Sequence, residues 1–259
     1  MDTFTTTSAG LAYETAGTGT PVVLLPGLTF DRTTWRPIVD ELDAAVQTIA
    51  IDLPAHGESP GPPRPMDQLA ACVHDLLAEL GVVRPVVVGH SFGAAVASMY
   101  AAQYPSLGVV MIDSGPEQQS FAELVQLAAP MLRGPTFGDA WTMIEASLCL
   151  ELIPQPVQAL VRAAHHVDQA VVLGDWEQLL STPPAEFQAF VDTFTSRIRV
   201  PTLAIYGQPA SAGDRQRFKT LPDVRVEEYP GEGHFVHLIN PARSAESLRR
   251  FIAHCAAAA

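Results

Sequence analysis

The sequence predicts an α/β domain with a mostly parallel, twisted sheet, helices on both faces and an inserted helical cap. Short apolar, β-branched runs recur along the chain with helical stretches between them, an alternation typical of a parallel sheet covered on both sides. A total of 259 residues is enough for one large domain with a substantial core. From about residue 117 to 195 the alternation stops, and this helical stretch is too long for a loop. We therefore assign residues 1–116 and 196–259 to the core and 117–195 to the cap.

The elements follow in chain order. Residues 3–14 predict two short edge strands around a turn near Ser8-Ala9-Gly10. Core strands are predicted at VVLLPG, QTIAIDLP, RPVVVGHS, GVVMIDSG, VPTLAIYG and VRVEEYPG. Helices are predicted over residues 33–42, 66–80 and 244–253 and over FGAAVASMYAAQY. In residues 66–80 the apolar positions fall on one helical face.

Composition and charge restrict the partners that the chain can have. Hydrophobic residues make up 47% and charged residues 17%, the balance of a soluble globular enzyme. The net charge of −13 argues against nucleic acid and anionic lipid, since both need basic patches. We expect a small-molecule substrate, no nucleic-acid or membrane partner, and a monomer or homodimer.

The cysteines and the first residues of the sequence indicate the cellular compartment that we expect for the protein. Cys72, Cys149 and Cys255 share no short spacing, which argues against a disulfide framework or a zinc site. No apolar run reaches transmembrane length, and the opening MDTFTTTSAG lacks the features of a secretory signal. We expect a cytoplasmic protein with no metal and no cofactor.

One short stretch carries the chemistry most directly. Gly89-His90-Ser91-Phe92-Gly93 has the pattern G-x-S-x-G and lies between an apolar strand and a predicted helix. Such a turn holds its serine in strained backbone geometry and projects the hydroxyl above the sheet, while the helix N-terminus favours a developing oxyanion. Ser91 is therefore the candidate nucleophile.

These segments resemble the α/β-hydrolase superfamily over nearly the whole chain. VVLLPGLTFDRTTW resembles its oxyanion-loop segment, IDLPAHGES its D-x-x-G-x-G-x-S stretch with Ala55 where glycine is usual, and VVVGHSFG its nucleophile elbow. PTLAIYG and YPGEGHFVHLINP resemble its last two core strands and its histidine loop. The resemblance implies that His234 is the general base and that the backbone N–H groups of Leu28 and Phe92 form the oxyanion hole.

The third triad member is not at the family's usual place. That place is three residues past the glycine of LAIYG, which is Ala210 here. Asp113, at the end of GVVMID, matches branches that place the acid on that strand, among them haloalkane dehalogenases and zearalenone lactonases. Asp214, further along the usual loop, is the alternative. We favour Asp113, because a carboxylate there emerges at the carboxyl edge of the sheet.

The cap predicts the nature of the substrate. We expect Trp141, Trp176 and Phe137 of the cap, and Phe235 beside the candidate base, to line the space above Ser91. The cap contains no cluster of arginine or lysine, which disfavours a strongly anionic substrate.

The resulting prediction is a serine hydrolase that cleaves a neutral, apolar or aromatic carboxylic ester or lactone through an acyl-enzyme. A C–C bond hydrolase, a thioesterase or a lyase with the same triad stays open, as does a receptor-like ligand-binding protein of the same fold. Dehalogenase and epoxide hydrolase chemistry are disfavoured, because those branches carry aspartate at the position of Ser91.

Overall fold

The computed structural model describes residues 2–5, 10–42 and 46–258. In them the chain forms eight strands: β1 Asp2–Thr5, β2 Ala12–Ala16, β3 Thr20–Leu25, β4 Val46–Ile51, β5 Val86–His90, β6 Gly108–Ile112, β7 Thr202–Tyr206 and β8 Val224–Glu228. They build one sheet in the order β1-β2-β4-β3-β5-β6-β7-β8.

The sheet is parallel from β4 through β8, and β1 and β2 join it antiparallel at one edge. This confirms the predicted mostly parallel sheet. Of the turn predicted between the two edge strands, Ser8 and Ala9 lie outside the described residues.

The described helices are α1 Arg36–Glu41, α2 Met66–Glu79, α3 Phe92–Gln103, α4 Gln119–Arg133, α5 Phe137–Ser147, α6 Gln155–Ala163, α7 Gln169–Asp175, α8 Glu177–Ser181, α9 Pro184–Thr195, α10 Ala212–Phe218, α11 Val236–Ile239 and α12 Pro241–Ala257. Helices α4 to α9 follow one another between β6 and β7. This is the stretch that we interpret as the cap, whose exact limits stay a prediction.

Apolar layers cover both faces of the sheet. Alternate residues of the central strands point to opposite faces, so that Val87 belongs to one layer while Val86 and Val88 belong to the other. Helices α2 and α3 pack on the first face, and α1 and α12 on the second. Covering both faces leaves the carboxyl ends of the strands as the edge where polar side chains can meet.

Two helices differ from the predicted bounds for local reasons. The helix predicted over residues 33–42 begins as a 3-10 turn at Arg32–Trp35, and α1 then starts with Pro37 in its first turn, where the missing N–H costs nothing. The last helix begins earlier than predicted, at Pro241, because the Asn240 side chain caps it through the Arg243 amide at 3.0 Å.

Across the described residues, none of the helices combines the length and the apolar character that crossing a lipid bilayer would require.

Candidate active site

Ser91 lies at the tight bend between β5 and α3. Its φ is 52° and its ψ is −118°, a conformation that a side-chain-bearing residue adopts only under constraint. A Cβ on Gly89 would overlap the Gly93 carbonyl, and a Cβ on Gly93 would overlap the backbone of Leu25 and Pro26. The two glycines therefore allow the close backbone approach that holds this bend.

The loop after β3 passes beside Ser91. A Cβ on Gly27 would lie 3.5 Å from the Ser91 Cβ, so the loop runs against Ser91 one residue before Leu28. Phe92 is the first residue of α3, where backbone N–H groups have no acceptor within the helix. Leu28 and Phe92 border the same cavity as Ser91. Their backbone amides therefore stay the predicted donors of the oxyanion hole.

His234 is paired with Asp113. The His234 Nδ1 lies 2.7 Å from Asp113 Oδ2, and Asp113 Oδ1 accepts a hydrogen bond of 3.0 Å from the Gly207 amide. Asp113 follows β6 directly with a φ of 49°, which directs its side chain toward the neighbouring strand end. A Cβ on Gly207 would overlap the Gly233 carbonyl, so glycine there lets the histidine loop approach.

Asp214, the alternative acid, has other partners. Its Oδ1 accepts a hydrogen bond of 2.8 Å from the Glu117 amide, and its Oδ2 accepts one of 3.0 Å from the Ser211 hydroxyl. The residue is 6% exposed, and burial raises the pKa of its carboxyl. Asp214 thus holds the chain that leaves β6 against α10, and the carboxylate that contacts His234 belongs to Asp113.

Two buried histidines lie against the His234 loop. His90 Nε2 donates a hydrogen bond of 2.9 Å to the His234 carbonyl oxygen, and its ring centroid lies 4.5 Å from that of His237. Burial lowers the pKa of His237 to about 3 and that of His90 well below its usual value. Both rings are neutral at pH 7, so they support the loop without placing positive charge beside His234.

One large cavity borders the candidate catalytic residues. Its volume is about 1420 Å³, and Ser91, Asp113 and His234 lie in its wall. The rest of the wall is mainly apolar and comes from the helices around it, for example Met99, Phe121, Leu132, Trp141, Phe187 and Phe194. Ser91 and His234 therefore border the same cavity.

Two of the four predicted pocket residues need correction. Trp141 and Trp176 line the cavity as expected. Phe137 does not; it stacks behind Trp141 with 5.9 Å between ring centroids, because its place at the start of α5 turns it away. Phe235 does not line the cavity either; it is 1% exposed and packs between Phe30 and His90 in the core.

Sequence reasoning missed other lining residues. Ala95, Met99 and Gln103 form a row along α3 that borders the cavity. The spacing of four residues, counted from Ser91, could have revealed this row, since such residues share a helical face. Phe30 also lines the cavity. No local sequence pattern predicts this, because the position of Phe30 depends on its packing against the distant residues His165 and Phe235.

In the part of the chain that the structure describes, no group of three or more His, Cys, Asp or Glu side chains is arranged to hold a metal ion. The chemistry available here is that of a hydroxyl, an imidazole, a carboxylate and backbone amides.

Known proteins share this sequence and architecture. Residues 22–246 match the model of the alpha/beta hydrolase family. The chain is 26% identical to the non-heme haloperoxidase of Rhodococcus erythropolis over 270 residues, covering 96% of this chain and 98% of that protein. It is 28% identical to the pimeloyl-[acyl-carrier protein] methyl ester esterase of Chromobacterium violaceum over 241 residues, covering 86% and 91%.

Among solved structures, a thermophilic esterase from Thermogutta terrifontis superposes with a TM-score of 0.71 at 22% identity, covering 95% of this chain and 93% of that one, which shows the shared fold. The relatives are named for different reactions, so they support hydrolase activity without fixing the bond that is cleaved. The family match spans most of the chain and includes the elbow, the strand that ends at Asp113 and the histidine loop, and this chain therefore belongs to the alpha/beta hydrolase family.

Proposed function

We propose that the protein is a serine hydrolase that cleaves a neutral, apolar or aromatic carboxylic ester or lactone through an acyl-enzyme. The observation that carries this proposal is the pairing of His234 with Asp113 at 2.7 Å in the wall of the cavity that Ser91 also borders. A strained serine, an oriented imidazole and free amides around one space are the components that acyl transfer requires.

In the first half of the reaction, the Ser91 oxygen attacks the substrate carbonyl carbon while His234 Nε2 takes the hydroxyl proton. The amides of Leu28 and Phe92 donate hydrogen bonds to the resulting oxyanion. The tetrahedral intermediate collapses when the C–O bond to the alcohol breaks and His234 returns the proton to the leaving oxygen.

In the second half, water attacks the acyl-enzyme. His234 takes a proton from the water, the same two amides stabilise the second oxyanion, and the bond to the Ser91 oxygen breaks as His234 protonates it. A carboxylic acid leaves. Asp113 accepts a hydrogen bond from the Nδ1–H throughout, which keeps Nε2 free to act as the base and stabilises the imidazolium.

The cavity supports a sizeable and neutral substrate. Ligand pockets commonly enclose about 300–1,000 Å³, and the volume of about 1420 Å³ exceeds that range. Among the charged side chains that border the cavity, carboxylates outnumber guanidinium groups: Asp67, Asp113, Glu117, Asp175, Glu177 and Asp214 against Arg197. This charge balance disfavours substrates with carboxylate or phosphate groups.

The outer part of the cavity wall favours an extended apolar group. Leu124, Leu127, Met131 and Met143, on α4 and α5, border the cavity and are also exposed to solvent. An apolar rim of this kind binds an alkyl or aromatic group that reaches from the reacting carbonyl toward the surface. We therefore expect esters with long acyl chains to react better than acetates.

The test has two arms. A fluorophosphonate probe should label the wild-type protein and leave Ser91→Ala unlabelled, with Ser106→Ala, a buried serine far along the chain from the elbow, labelled like the wild type. A series of p-nitrophenyl esters from acetate to decanoate, together with γ- and δ-lactones, should give kcat/KM values that rise with chain length. Absence of a Ser91 adduct would contradict the proposed function.

A further inference from the structure

The oxyanion loop, residues 27–31, is paired with a segment of the helical stretch above it. The Asp31 amide donates a hydrogen bond of 3.1 Å to the Ala164 carbonyl, and the His166 amide donates one of 2.8 Å to the Thr29 carbonyl. Between these bonds, Phe30 and His165 form an isolated antiparallel bridge. A short piece of chain after α6 thus runs beside the loop as a second strand.

The loop needs such support. Thr29 has a φ of 68°, a left-handed conformation that a β-branched residue adopts only where its surroundings enforce it. Thr29 follows Leu28 directly, so its backbone conformation sets the path of the loop that carries the Leu28 amide. The Arg32 amide is fixed at the far end of the loop by a bond of 2.6 Å to Asp52 Oδ1. The middle of the loop is held by the bridge.

The His165 side chain reinforces this bridge. Its ring stacks on Phe30 with 4.4 Å between centroids and 11° between planes, and its side chain is 7% exposed. The Nδ1 lies 3.1 Å from Glu145 Oε1 on α5, which fixes the ring orientation. Burial lowers the pKa of His165, and the ring therefore stacks as an uncharged aromatic group at pH 7.

Phe30 also contacts the loop that carries His234. Its other side contacts Phe235, the residue after His234, with 5.1 Å between centroids in an edge-to-face arrangement. Phe30 also lines the cavity. His165, Phe30 and Phe235 thus form one row of rings that runs from the helical stretch to the histidine loop.

We propose that His165 is a positioning residue, which holds the oxyanion loop through Phe30 so that the Leu28 amide points at the oxyanion next to Ser91. This inference rests on the proposed function. Its consequence is that a side chain outside the triad and outside the oxyanion hole controls transition-state stabilisation. Complete removal of one oxyanion donor typically costs about 10²- to 10³-fold in kcat, and a misdirected donor costs a part of that.

The experiment compares His165→Ala with His165→Phe, which keeps a ring to stack on Phe30. The control is Val167→Ala, two residues along the same segment, where the residue is 39% exposed. With the p-nitrophenyl ester that the wild type hydrolyses best, we expect His165→Ala to lower kcat by about 10- to 100-fold with KM within about twofold. His165→Phe should recover kcat to within about threefold of wild type, and Val167→Ala should match the wild type.

A second measurement does not depend on activity. Hydrogen exchange of the Asp31 and His166 amides should be slow in the wild type and in His165→Phe, and fast in His165→Ala. If the wild type hydrolyses the ester but His165→Ala keeps the wild-type kcat or the wild-type exchange rates, this inference is wrong and the proposed function still holds. Absence of Ser91-dependent hydrolysis in the wild type would overturn the proposed function and this inference with it.

Discussion

The Gly207 amide donates a hydrogen bond of 3.0 Å to Asp113 Oδ1, which leaves Oδ2 facing His234 at 2.7 Å. The donor belongs to the backbone at the end of β7, so it cannot rotate away as a side chain could. A carboxylate at the end of β6 is thereby fixed toward the loop that follows β8. This relationship supports the proposed role of Asp113 as the triad acid, in place of an acid at the position of Ala210.

Replacing Asp113 by asparagine should remove most of the activity. The amide NH₂ can donate to Nδ1 and so favour the tautomer in which Nε2 carries the proton. We expect kcat to fall by about 10³- to 10⁴-fold with little change in KM, measured by steady-state ester hydrolysis.

The matched variant is Asp214→Asn, because Asp214 is also a carboxylate that borders the cavity. Its kcat should stay within about threefold of wild type, while the melting temperature falls because its bonds to Glu117 and Ser211 weaken. The opposite pattern, with Asp214→Asn inactive and Asp113→Asn active, would show that the roles are reversed.

Replacing Gly207 by alanine should displace the histidine loop. The added Cβ would overlap the Gly233 carbonyl, which is backbone and cannot rotate aside. We expect kcat to fall by about 100-fold or more, since a misplacement of about 1 Å has effects of that size. Gly138→Ala is the control: it lies in α5 with open space around it, and it should stabilise the protein by about 0.5–1 kcal/mol. Normal turnover by Gly207→Ala would contradict the geometry.

Filling the cavity at Met99 should change the preferred chain length. Met99 lies two turns along α3 from Ser91, about 12 Å at 1.5 Å per residue. In Met99→Trp, kcat/KM for the decanoate should fall by about tenfold or more while the acetate value stays within about threefold. Met99→Leu, of similar volume, should keep the wild-type profile. Equal losses on all chain lengths would mean that long chains do not extend along α3.

Asp175 should make stability depend on pH. Burial raises the pKa of its carboxyl to about 7, its Oδ2 lies 3.6 Å from His56 Nε2, and its Oδ1 accepts a bond from the Arg64 amide. Unfolded aspartate titrates near pH 3.9. Between about pH 4 and 7 Asp175 therefore holds a proton in the native state that it lacks in the unfolded chain. This protonation stabilises the native state at low pH, and the stabilisation is lost as the pH rises toward 7.

Asparagine at position 175 cannot ionise, so the Asp175→Asn protein should gain stability relative to wild type as the pH rises from 4 to 8. We expect a gain of up to about 4 kcal/mol, measured by urea unfolding at each pH. The control is Asp139→Asn, an exposed aspartate on α5, for which the difference from wild type should stay nearly constant. A constant difference for Asp175→Asn would show that this carboxyl is ionised in the native state at pH 4 as well as at pH 8.

The sheet, the order of the strands along the chain and the elbow at Ser91 can all be predicted from the sequence alone. These features are local: an apolar run, a tight bend and a helix follow one another without a break. The histidine loop was equally visible, because its glycines and His234 are contiguous. For the acid the sequence narrowed the choice to two residues: Asp113, directly after β6, and Asp214, which lies on α10 after β7.

The contacts between distant groups can be read only from the folded chain. The contact of Asp113 with His234, the packing of Phe235 between Phe30 and His90, and the bridge between Phe30 and His165 all join segments distant along the chain. Periodicity and turn signals constrain a residue relative to its near neighbours. The direction of a side chain on a loop depends instead on what packs against it, and that is set by the folded arrangement of the whole chain.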